Sequence, residues 1–198
     1  REHCGCPAGV PGKGPIVQPA MAQAPITVGG IPIPFDSPAL LAVLAVHVLA
    51  GLGCVLTGLA AMLVRKGPGR HPNIGTLYHR LLTVVFGSMA VLAAVRWAED
   101  YHLFILGSLA LTAAVLARRA IRRQRVRLHL IGMGLSYILL LTAFYVDTGA
   151  HLPVWRALPH LAHWLLPAAI GVPIIIRALR RHPLAQAERP RGRGGAAA

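Results

Sequence analysis

From Ala39 to Val64 the chain reads ALLAVLAVHVLAGLGCVLTGLAAMLV, 26 residues with no Asp, Glu, Lys or Arg. As a helix this run extends roughly 39 Å, at about 1.5 Å per residue. The hydrocarbon core of a bilayer is about 30 Å thick, so the run crosses it with some tilt. Four more apolar runs follow, roughly Ile74 to Trp97, Tyr101 to Ala117, Leu128 to Val146 and Ala157 to Ile176. The third is shorter than the others. Polar segments separate them: RKGPGRHPNIGTLYHR at 65–80, Glu99 and Asp100, RRAIRRQRVR at 118–127, and DTGAHLPVWR at 147–156. Pro167 and Pro173 fall inside the fifth run and predict a kink there.

Composition agrees with the pattern. Hydrophobic residues make up 55% of the 198, mean hydropathy is +0.59, and only 13% are charged. A soluble domain carries about 25% charged residues. The expected fold is all-α, an integral membrane bundle of five transmembrane helices. Residues 1–37 are rich in Pro and Gly and read as a flexible extracytoplasmic arm. Residues 38–181 form the five-helix transmembrane domain, and 182–198, ending in RPRGRGGAAA, a basic disordered cytoplasmic tail. Met21 opens MAQAPITVGG, so residues 1–20 read as a leader remnant or an upstream extension; they lack the pattern of a signal peptide.

Charge then orients the bundle. Sixteen of the 20 basic residues lie at 65–80, at 118–127 and from Arg177 onward. Five of the six acids, Glu2, Asp36, Glu99, Asp100 and Asp147, fall in the alternate segments. Positive loops stay in the cytoplasm, which puts the N-terminus outside and the C-terminus inside a bacterial inner (plasma) membrane. The net charge of +14 is thereby a partner for anionic lipid headgroups on the cytoplasmic side and not for nucleic acid.

Histidines carry the candidate chemistry. His47 lies on one stripe of the first run with Gly51, Cys54 and Gly58, at i, i+4, i+7 and i+11. Small residues mark a face that meets another helix or a flat ligand, and an ionisable group there is a functional candidate. Depth pairs His47 with His163 on the outer side and His79 with His129 on the inner side, with His71 in the inner loop before the second helix. Imidazoles on facing helices are axial ligands for haem. The plainer reading makes His47 a hydrogen-bond donor to another helix, with Tyr137 or Tyr145 as partner, and leaves His79, His129 and His160 as interface residues. Cys4 and Cys6 form a CxC pair, a weak copper or zinc site; three cysteines are too few for a disulfide framework. No Ser–His–Asp set shares a face, and no phosphate-binding glycine loop or metalloprotease helix motif is present.

Four stretches, HVLAG at 47–51, RKGPGRHPNIGTLY at 65–78, HLIGMGLSYILLLTAFYVDTG at 129–149 and LPVWRALPHLAHWLLPAAIGVP at 152–173, resemble an uncharacterised bacterial multi-pass membrane-protein family, domain of unknown function number 2306. The resemblance covers roughly residues 40–180. It implies a multi-helix membrane fold and points to no particular activity. It singles out His71, Gly75 and Tyr78, with His47, His129, Ser136 and Tyr137, and it favours His71 over His79. Three functions then fit: an accessory or assembly subunit of a membrane complex, respiratory among others; a b-type haem electron-transfer protein; and a small transporter. The transporter reading expects a charged residue buried mid-helix, and none falls there.

Overall fold

The computed structural model describes residues 26–28, 31–33, 37–65, 69–153 and 155–181. The chain divides into two units, Arg1–Asp36 and Ser37–Ala198. In the first, β1 (Ile26–Val28) and β2 (Ile31–Ile33) pair antiparallel with Ile26 opposite Ile33. Gly29 and Gly30 separate them in sequence, a dipeptide that two-residue hairpins favour. These strands fall within the stretch that the sequence led us to expect as a flexible arm. Cys4, Cys6 and the basic tail at 182–198 lie outside the described residues.

The second unit is all-α. It comprises α1 (Pro38–Leu63), α2 (Arg70–Val95), α3 (Trp97–Arg122), α4 (Val126–Thr148) and α5 (His160–Arg181). All five are long and apolar enough to cross a membrane. Their bounds differ from the hydrophobic runs for physical reasons. α2 begins four residues before Ile74, because Gly69 turns the chain in at φ 103° and Pro72 sits in the first turn, where a missing N–H costs nothing. His71 is therefore in a helix, not in a loop. α3 is as long as α1, not shorter. Glu99 and Asp100 occupy its first turn and Arg119 and Arg122 its last, each sign at the helix end that favours it. α5 starts at His160, after Pro159 and a short 3-10 turn at Trp155–Ala157, and runs through Pro167 and Pro173 to Arg181.

Each helix packs on the next, and α4 returns to touch α1, so α1 to α4 close a ring and α5 covers α4. Glycines set the close approaches. A Cβ on Gly132 would sit 2.8 Å from Ala117 Cβ and 3.0 Å from the Ala113 carbonyl oxygen on α3. Gly134 and Gly171 receive Ile175 and Ile138 across the α4–α5 seam. Alanines 110, 113, 114 and 117 give α3 a matching flat face. This small-to-small contact is how helices associate in lipid, where apolar burial drives little. The core between the helices holds Cys54, Tyr78, Leu82, Val85, Ala110, Ala114 and Leu140.

Candidate functional site

The stripe on α1 is built against tyrosines. Cys54 is 0% exposed, and its Sγ lies 3.7 Å from the Tyr78 carbonyl oxygen. Gly58 leaves the space that the rings of Tyr137 and Tyr78 fill. Gly51 has nothing within 4 Å of where a Cβ would be. The buried face of α1 is thus Ala50, Cys54 and Gly58, and it serves helix packing.

At the centre, the Tyr78 hydroxyl meets Ser136 Oγ at 2.9 Å, tying α2 to α4. The Tyr137 hydroxyl donates to the Val55 carbonyl at 3.1 Å, tying α4 to α1. The two rings stack at a tilt, with centroids 6.4 Å apart.

The histidines follow one rule. His47 Nδ1 lies 3.2 Å from the Val85 carbonyl oxygen and 3.0 Å from Ser88 Oγ. A carbonyl only accepts, so Nδ1 carries the proton and donates from α1 to α2. Its partner is a side chain of a neighbouring helix, as expected, but the residue is Ser88 and not Tyr137 or Tyr145. His71 Nδ1, in the first turn of α2, donates to Ala61 near the end of α1 at 3.1 Å. His129 Nδ1, in the first turn of α4, donates to Ala117 near the end of α3 at 3.1 Å. The two hairpins, α1–α2 and α3–α4, are therefore latched in the same way. His71 stands seven residues before Tyr78, and His129 seven before Ser136. Seven residues are two turns, so each histidine lies about 10 Å from the central pair on the same helix face.

His163 departs from the rule. Its Nε2 donates to the Trp155 carbonyl at 3.2 Å, and its ring presses on Gly149, where a Cβ would sit 2.9 Å from Cδ2. It anchors the loop between α4 and α5, while His47 belongs to the α1–α2 seam. The hydrogen bonds of the two histidines thus lie in different parts of the bundle. His79 lies on the α2–α3 seam beside Arg118, Arg119 and Arg122.

One cluster escaped the sequence reading. Arg96, Glu99, Asp100, His102, Asp147, His160 and Trp164 line an open cleft of about 530 Å³ where α3 and α5 begin and α4 ends. Arg96 and Glu99 form an ion pair within it. The signal was the presence of acid and histidine in both WAEDYH and VDTGAH, at the ends of helices that alternate in direction. Among the described residues no group of three or more His, Cys, Asp or Glu could hold a metal ion.

Comparison with protein-family models, with curated proteins and with solved structures found no match to this chain. The functional reading rests on the residues and their geometry.

Proposed function

We propose that this protein is an accessory or assembly subunit of a larger membrane complex. One observation carries the reading: the side chains that looked most like chemistry are spent on holding helices to one another. His47, His71, Tyr78, His129 and Tyr137 each bond across a helix seam, and His163 bonds a loop to its helix. A bundle fastened this way is a rigid body whose surface is its working part. α1 and α5 have the most surface to offer, with only 11% of each span buried inside the bundle. The resemblance to domain of unknown function number 2306 supports the same membrane fold and adds no activity.

In this reading the bundle sits in a bacterial inner membrane with its N-terminus outside and its basic end in the cytoplasm, as the arginine distribution favours. Native electrophoresis of mildly solubilised membranes tests the function: the protein should migrate with a complex several times its own 21.0 kDa. Migration of the full-length protein only as a monomer would overturn the proposal. Thiol labelling of single-cysteine variants tests the orientation, with position 100 reached from outside and position 122 from the cytoplasm. Labelling of both from one side would defeat it.

A second reading has an observation of its own. In His47 and His71 the proton sits on Nδ1 and is held by a carbonyl, which leaves the lone pair on Nε2. Metal-bound histidines are oriented in this way. The b-type haem reading expects purified protein to be red with a Soret band; a colourless preparation from haem-replete cells overturns it.

A further inference from the structure

At the basic end of the bundle, His79 from α2 and Val115, Arg118, Arg119 and Arg122 from α3 line an open cavity of about 280 Å³. We propose that this cavity binds a phosphate group, carried by the headgroup of an anionic phospholipid.

Spacing places the arginines together. Val115, Arg118, Arg119 and Arg122 follow at i, i+3, i+4 and i+7, one face of a helix. Like charges that close repel, so an anion among them lowers the energy of the cluster. The helix dipole favours cations at the end of α3. It does not explain why they border a concave space with an imidazole from another helix. The described residues supply no neutralising carboxylate. Glu99 and Asp100 are in the first turn of α3 and Asp147 is in the last turn of α4, all at the opposite end of the bundle. Asp100 and Arg118 are 18 residues apart along one helix, roughly 27 Å by its rise per residue. The segment between α1 and α2, 65–70, has no acid either.

His79 adds a second observation. Its Nδ1 is buried and has no hydrogen-bond partner. A guanidinium fork matches phosphate oxygens in pairs, and an imidazole N–H adds a further donor. Water takes about 30 Å³ per molecule in the liquid, so the cavity has room for a phosphate and part of its glycerol. Val84 and Leu116, exposed on the same two helices, offer apolar surface for acyl chains. Basic pockets between helices at the cytoplasmic boundary hold anionic headgroups in this way. The proposal is independent of the accessory-subunit reading.

Free inorganic phosphate offers the same oxygens, and the experiment separates the two sources. The full chain is purified in a neutral detergent, and binding of phosphatidylglycerol, phosphatidylcholine and inorganic phosphate is measured by native mass spectrometry and by thermal shift. Phosphatidylglycerol should bind saturably, at least tenfold tighter than the other two. The R118Q/R122Q double variant should lose that binding at least tenfold, while R125Q, an exposed arginine outside the cavity, should keep it. Equal losses in R125Q would show diffuse charge attraction and overturn the proposal. Equal binding of inorganic phosphate or of phosphatidylcholine would overturn the lipid assignment. Should the double variant fail to fold, R119Q and H79Q take its place, and an undiminished thermal shift with phosphatidylglycerol in both overturns the site.

Discussion

The hydroxyls of Tyr78 and Ser136 meet at 2.9 Å across the centre of the bundle and join α2 to α4. Tyr78 is 1% exposed and Ser136 is 0% exposed. A partner removed from such a pair strands the other hydroxyl where water cannot reach it, at about 1–3 kcal/mol. Tyr78→Phe and Ser136→Ala should each lower stability in detergent, and the double variant should cost less than the two added together. Simple additivity in the double-mutant cycle would show that the contact contributes nothing.

His71 and His129 perform one task in two hairpins, each reaching back from the first turn of a helix to a carbonyl near the end of the previous one. His71→Ala should raise amide exchange at the basic ends of α1 and α2, and His129→Ala at those of α3 and α4. Each hairpin should respond to its own histidine. Exchange that rises equally across all four helices in either variant would refute local latching.

The fold was largely legible because lipid imposes a simple rule: a spanning segment must be apolar, long and helical. The ends were less so. Gly69 and Pro72 looked like breakers before α2, yet one turns the chain and the other fits the first turn. The arginines after Ala117 read as loop, yet arginine is a good helix former and suits a C-terminal turn. Among the site residues, angular position around each helix was not readable, and His47 and His163, paired by their expected depth, bond in different seams. His71, Tyr78, His129 and Tyr137 all bond between helices. The cleft around Asp100 and Asp147 was missed because its members come from three helix ends far apart in sequence.

Two glycines, one in the first half of α2 and one in the first half of α4, should behave oppositely. Gly132→Ala places a methyl 2.8 Å from Ala117 Cβ and 3.0 Å from a backbone oxygen, and neither can move without parting α3 from α4. Overpacking of this kind costs about 1–3 kcal/mol. Gly75 has nothing within 4 Å of its Cβ position, so Gly75→Ala should be neutral or stabilise α2, by about 0.5–1 kcal/mol. Thermal melts of the two variants check the contrast. A Gly132→Ala melt matching the parent would show that the α3–α4 contact is looser than the structure has it.

The test of His47 separates its two roles. Its Nδ1–H is shared between the Val85 carbonyl and Ser88 Oγ, while the Ser88 hydroxyl itself donates back to Val84 at 2.8 Å. His47→Ala removes both contacts from α1 to α2, whereas Ser88→Ala leaves the carbonyl bond in place. Hydrogen bonds between membrane helices are worth about 0.6 kcal/mol on average and up to about 1.7. For a chain of this size each kcal/mol moves the melting temperature by about 2–4 °C. His47→Ala should therefore melt a few degrees below the parent, with Ser88→Ala between them. If the imidazole also offers Nε2 to a haem iron, His47→Ala should abolish the Soret band while Ser88→Ala only shifts or weakens it. A Ser88→Ala protein less stable than His47→Ala would show that the serine, not the histidine, carries the α1–α2 contact.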